Sequence, residues 1–223
     1  MMGTGPEGFS RVHRPLSKAG EYYSRLASWY DLLAASEKKF IHGGVELLEP
    51  QSGERILEIG FGTGCAQGLI IPILKNGFSA AVDISPGMAR LAQRKLELAG
   101  MADRSSLAIS DSLPLPFQSN VFDALFSSFT LELFDTPQIP ELLRECRRVL
   151  KPGGRLVFVS LSKDQPLGTM GRLYEFFHNR FPTLADCRPI PLQRLLEENG
   201  FGLAGIEIKK MWGLKVGLVE ANP

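Results

Sequence analysis

Between Arg55 and Leu161 the sequence alternates short apolar runs with longer segments of helical periodicity, and few architectures accept that pattern. "RILEIG", "FSAAVDIS", "SSLAIS", "VFDALFSSF" and "RLVFVSL" read as strands. "CAQGLIIPILKN", stopped by Asn76 and Gly77, reads as a helix between the first two. "PGMARLAQRKLELAG" is a second helix, with Pro86 near its first turn and Gly100 past its end. "IPELLRECRRVL" is a third, placing Ile139, Leu142, Leu143, Cys146, Val149 and Leu150 on one face. "KPGG" is expected to form a turn that stops it ahead of the fifth strand. Strands alternating with helices of this length build a parallel sheet covered on both faces.

The flanks behave differently. "TMGRLYEFFHNRF" and "PLQRLLEENG" are helical, and "LAGIEIKKMW" and "LKVGLVEA" lie a Gly213 turn apart, which is hairpin spacing. Upstream, residues 1–15 have no periodicity and read as a tail. Leu26, Trp29, Tyr30, Leu33, Phe40, Ile41, Val45 and Leu48 then recur at helical spacing before "EPQSGE" breaks the chain. At 223 residues the simplest organisation is one domain: residues 1–52 as tail and helical cover, 53–161 as a binding core, 162–223 as helices and a C-terminal hairpin. Cys65, Cys146 and Cys187 are scattered, which argues against a disulfide framework or a zinc site and suits a reducing compartment. A net charge of +1 gives no pull toward nucleic acid. No signal-type apolar region and no membrane-length run is present, so the expected location is cytoplasmic, with peripheral membrane contact left open.

The first strand runs into "EIGFGTG", with Glu58 followed by Gly60, Gly62 and Gly64. Such a turn lets backbone approach a ligand at a helix N-terminus. A dinucleotide fingerprint wants glycines at its first, third and sixth positions; counting from Gly60 the sixth is Cys65, and from Gly62 it is Gln67. E-x-G-x-G-x-G, with the alternating segments downstream of it, instead resembles the class I S-adenosylmethionine (SAM)-dependent methyltransferases over residues 54–161. The fold implied is a Rossmann-like α/β sandwich: a seven-stranded, mostly parallel sheet with an antiparallel C-terminal hairpin strand and helices on both faces.

The resemblance implies SAM as cofactor, S-adenosylhomocysteine as product and no metal. Glu58 would accept from the SAM ammonium, and Gly60, Phe61, Gly62 and Gly64 would lay backbone against it. Asp83, ending the second strand, would take both ribose hydroxyls, with Ile84 and Met88 beside the ribose and adenine. Asp111, Ser112 and Leu113 in "SDSLPLPF" would meet the adenine. Ser127, Ser128 and Phe129 would border the transferable methyl. Plainer roles stand beside these: strand–helix packing for the glycines, a helix cap for Asp83, a turn for Asp111, core for Phe129 and Met88. "YYSRLASWYDLLAASEKKF" narrows the resemblance to the ubiquinone/menaquinone-biosynthesis methyltransferase-like group (methyltransferase type 11 domain), whose Tyr-Asp segment would be Tyr30 and Asp31.

No catalytic residue is assigned; Glu132, Tyr174 and His178 are candidates for a base if the acceptor starts protonated. The acceptor is expected to be small; a quinol-like ring and a lipid amine are the hydrophobic candidates, and soluble small-molecule acceptors stay open. "SSFTLELF" departs from the glycine-, arginine- and asparagine-containing stretch usual in the quinone enzymes, which keeps the lipid amine open. Arg188 could bind an acidic acceptor group or form a turn-fixing salt bridge. A non-catalytic SAM-binding regulatory module and an NAD-dependent oxidoreductase are the rival readings.

Overall fold

The computed structural model describes residues 36–110, 113–164, 171, 174 and 187–223. Helix α1 (Lys38–Leu48) leads into strand β1 (Arg55–Ile59), helix α2 (Cys65–Leu74), strand β2 (Phe78–Asp83), helix α3 (Pro86–Leu98) and strand β3 (Ser105–Ile109). Strand β4 (Phe122–Ser128), helix α4 (Ile139–Val149) and strand β5 (Leu150–Leu161) follow. Helix α5 (Leu192–Glu198) and strands β6 (Gly202–Met211) and β7 (Leu214–Asn222) end the chain. The seven strands form one sheet in the order β3-β2-β1-β4-β5-β7-β6. β1 to β5 pair in parallel, whereas β7 runs antiparallel to both β5 and β6. The expected fold class is what the chain adopts.

Alternation along each strand divides the core. Ile56, Ala124, Phe126, Val157 and Val159 face α1 and α2, meeting Phe40, Val45, Leu48, Ile70 and Leu74. Their neighbours Leu57, Leu125, Leu156 and Phe158 face α4 and α5, meeting Leu142, Leu143, Cys146, Leu192 and Leu196. Each fully buried Leu, Ile or Phe removes enough apolar surface from water to contribute about 1.5–3 kcal/mol. The helical stripe foreseen from Ile139 to Val149 is the buried face of α4. α3 begins as its sequence dictates: Pro86 occupies the first turn, and the Ser85 hydroxyl caps it by accepting from Met88 N at 3.2 Å. At the opposite end of the sheet Arg155 holds the end of α1, donating to Leu48 O and Glu49 O while pairing with Glu54 at 2.7 Å.

Two expectations need correction. "KPGG" is not a turn ahead of the fifth strand but part of it. β5 starts at Leu150, which pairs with Phe122, and its register then shifts so that Arg155 pairs with Ala124; Lys151–Gly154 form the bulge between. The ladder flanks these residues on both sides, so a turn-forming stretch, with Gly153 at φ +77°, is carried as an unpaired bulge inside the strand. α2 stops at Leu74, ahead of the Asn76–Gly77 signal, and Gly77 N donates back to Leu74 O at 2.7 Å. The helix expected upstream of Ser36 lies outside the described residues.

Candidate functional site

The parallel strands carry Glu58, Asp83 and Ser128 to one edge of the sheet, the edge at their C-terminal ends. After β1 the chain turns through Gly60, Gly62 and Gly64, all at positive φ. The three glycines are needed for different reasons. A Cβ on Gly60 would collide with the Thr130 side chain, and one on Gly64 would lie 3.1 Å from the Ala92 Cβ of α3. A Cβ on Gly62 would meet nothing within 4 Å, although φ is +50° there. So two of the glycines serve close packing, and Gly62 alone turns a bare backbone toward open space.

Asp83 shapes this loop. Its Oδ2 accepts from Gly62 N and its Oδ1 from Ser85 N, both at 2.8 Å. Burial raises its pKa above the usual carboxylate value, against the lowering effect of the backbone donors. The Ile84 backbone N–H is a third donor to the same carboxylate, so of its roughly four lone-pair sites one remains for a further donor. Asp83 is thus a tie between the glycine loop and the start of α3, with acceptor capacity left over.

Glu58 is 1% exposed and accepts from Gln67 Nε2 at 2.7 Å. Burial pushes its pKa up to about 8, the Asp83 charge adds to the rise, and the Gln67 hydrogen bond opposes it. Gln67 is itself fully buried, and its Oε1 has no protein partner. The sequence reading missed this residue. Its signal was present: a lone amide inside the apolar helix "CAQGLIIPIL". A cleft beside Glu58 is walled by Glu37, Lys38 and Ile41 from the start of α1, by Gly60–Thr63, and by Ser128.

The other expected site residues separate. Phe61 lines the cleft while packing on Ala81 and Ala92. Met88 is buried under the first turn of α3, and Ile84 is half-buried beside Asp83. Ser127 is a structural residue, donating its hydroxyl to Ile59 O at 2.9 Å. Phe129 turns away into the core, edge-on to Phe40 at 6.3 Å. Leu113 is half-buried against the α4 side of the core. Asp111, Ser112 and His178 lie outside the described residues, as do Tyr30 and Asp31.

Glu132 and Tyr174 do not line the cleft. Glu132 is fully buried in the turn after β4, where Oε1 accepts from Leu161 N at 3.2 Å and Oε2 has no partner. Burial pushes its pKa up to about 7. The Tyr174 hydroxyl donates to Cys187 O at 2.7 Å. Arg188 is fully buried and clamps the segment after β4, donating to Glu132 O, Phe134 O at 2.6 Å and Thr136 Oγ1 at 3.0 Å. These contacts are to two carbonyls and a hydroxyl of the segment after β4, and Arg188 does not line the cleft. Among the described residues no group of His, Cys, Asp or Glu is placed to hold a metal ion.

Comparison with known proteins fits this geometry. A family model described as "Methyltransferase domain" matches residues 56–154. The chain is 31% identical over 163 residues to the demethylmenaquinone methyltransferase of Thermus thermophilus, covering 71% of this chain and 72% of the relative. It is 29% identical over 177 residues to the ubiquinone/menaquinone biosynthesis C-methyltransferase UbiE of a Ruegeria species, covering 76% and 70%. In other relatives of that name the match spans 58% to 63% of their length. Among solved structures, the [4+2]-cyclase SpnF superposes with a TM-score of 0.75 at 17% identity, over 94% of this chain and 96% of that one. At that identity the likeness establishes the fold alone.

Proposed function

The chain belongs to the class I SAM-dependent methyltransferases, and on that premise we propose that it methylates a small hydrophobic acceptor of the quinol type at a ring carbon. The observation that carries this reading is the cleft at Gly62, where bare backbone faces open space between Glu58 and the end of β4. The residues there fit SAM. Glu58 is a buried carboxyl that an ammonium group would return to its charged form, and Asp83 keeps an acceptor site for a ribose hydroxyl. Bound SAM supplies a methyl group on a positively charged sulfur, open to in-line displacement by a nucleophile. The protein's own part is to hold and orient. Gly62 admits the ligand to van der Waals distance, Asp83 fixes the loop, and Glu37, Lys38 and Ile41 wall the cleft from water. The names of the relatives support a quinol acceptor. Glu132 has the pKa of a proton acceptor at neutral pH, but it lies outside the cleft and is assigned no step.

The test supplies methyl-labelled SAM with three separate acceptors: a reduced polyprenyl naphthoquinol, phosphatidylethanolamine, and an aqueous metabolite extract. Asp83→Ala runs beside the wild type. Label in the quinol with wild type alone supports the proposal. Label in the phospholipid makes the protein a lipid-amine methyltransferase, and label only in the aqueous pool removes the hydrophobic acceptor. No transfer despite SAM binding favours a non-catalytic module.

A further inference from the structure

We propose that the tip of the β6–β7 hairpin is a contact for an anionic membrane surface, placed at the edge of the sheet where the cleft opens. Register fixes its position. β7 runs antiparallel to β5 with Val216 opposite Leu161, and Ser162 N donates to Lys215 O at 2.8 Å. The turn between β6 and β7 therefore lies past the C-terminal end of β5, on the same edge as the glycine loop after β1. In the strand order, β4 and β5 separate β1 from β7. At roughly 4.8 Å per strand the tip stands about 14 Å to the side of that loop.

The residues there are poor choices for a hairpin standing in water. Trp212 and Gly213 form the two-residue turn, both at positive φ. Such a turn favours Asn or Gly at its first position, and a bulky aromatic there is strained. Packing does not compensate, because Trp212 is 71% exposed. Next to it, exposed Lys210 stands directly opposite Lys215 across the strand pair, an arrangement that weakens a pair. On the same edge, exposed Lys38 and Lys39 occupy the first turn of α1, the end of a helix that repels cations. The described acids of this region include Glu37, buried Glu132, Glu207, which pairs with Lys209 at 2.9 Å, and Asp164, which already accepts from Ser162 Oγ and Gln193 N. When several local choices oppose folding at one place, an external demand explains them. An exposed tryptophan beside two hairpin lysines, with two more on the same edge of the sheet, suits one chemistry: the indole enters the headgroup layer while the ammonium groups meet anionic lipids. The opening would then face the phase that dissolves a hydrophobic acceptor. This deepens the function proposed above and rests on it only for the identity of the cleft.

The experiment uses the whole chain, with no acceptor, and vesicles of phosphatidylcholine alone or with about 30 mol% phosphatidylglycerol. Wild-type protein should sediment with the anionic vesicles and be released as salt rises from about 0.1 to 0.5 M. In a Trp29→Phe background, Trp212 emission should shift to the blue on binding. Lys39→Gln with Lys210→Gln should weaken partition about tenfold or more. Trp212→Asn should weaken it as well while raising the melting temperature, since Asn suits the turn. SAM affinity, measured separately, should stay within about twofold in all of them, so a failure of the cofactor reading shows up apart from a failure of docking. The proposal is overturned if wild type ignores anionic vesicles or if Trp212→Asn binds them as well as wild type. It is equally overturned if the tip instead pairs two copies of the chain, seen as a dimer that Trp212→Asn dissolves.

Discussion

Glu58→Gln should make the protein more stable and a poorer binder at once. The Glu58 carboxyl is buried and its pKa is raised from 4.5 to about 8, chiefly by desolvation. A carboxyl whose folded value lies above its unfolded one contributes fully to stability below the unfolded value. That contribution is lost as pH rises from the unfolded value through the folded one. At about 1.36 kcal/mol per unit, the loss between pH 5 and pH 8 is roughly 3 kcal/mol. Glutamine does not titrate. Its carbonyl can still accept from Gln67 Nε2, and its amide brings a donor to a residue whose Oε1 has no partner. The variant's advantage over wild type should therefore grow by roughly 3 kcal/mol from pH 5 to pH 8, about 6–12 °C in melting temperature for a domain of this size. SAM affinity, read by titration calorimetry, should fall about ten- to a hundredfold, because a charge-assisted hydrogen bond is lost. Thermal unfolding at four pH values decides the first half. A variant less stable than wild type at pH 8 would mean that Glu58 is charged in the folded protein. Unchanged SAM affinity would mean that the ammonium group binds elsewhere.

Gly62→Ala should fold, at a cost of about 1–2 kcal/mol for its φ, yet bind SAM at least about tenfold more weakly; normal binding would show that this backbone does not face the ligand. Arg188→Met should lower stability by about 2–4 kcal/mol, because Phe134 O, Glu132 O and Thr136 Oγ1 lose a buried donor. Its SAM affinity should be unchanged, and a selective loss of affinity in calorimetry would contradict the clamp. Glu132→Gln should gain on wild type as pH rises from 4.5 through about 7, following the same sign as Glu58. A flat difference in melting temperature between pH 5 and pH 8 would mean that the Glu132 carboxyl does not titrate there.

What could be read from the sequence was whatever local pattern determines. Alternation gave the order of strands and helices, the apolar stripe gave the face of α4, and the spacing around Gly213 gave the hairpin. The place of Lys151–Gly154 was missed because Leu150 already pairs with Phe122 ahead of them, a long-range contact that leaves no local mark. The glycine motif located the loop, but only the positions of Thr130 and Ala92 distinguish packing glycines from the open one. The role of Arg188 has no local mark either, because its burial depends on carbonyls more than fifty residues earlier in the chain. Phe129 showed its apolar character in the sequence, whereas its direction is set by Phe40 on another element.

The tie made by Asp83 has a consequence for the tempo of binding. Because one carboxylate holds both Gly62 N and Ser85 N, the loop and the helix that follows β2 form a closed circuit before any ligand arrives. The entropy of ordering that backbone, about 1–2 kcal/mol per residue, is already settled when the chain folds. A ligand entering at Gly62 therefore meets a surface at rest. On the proposed reading, binding at this wall needs no closure of the glycine loop, because Asp83 already ties it to the start of α3.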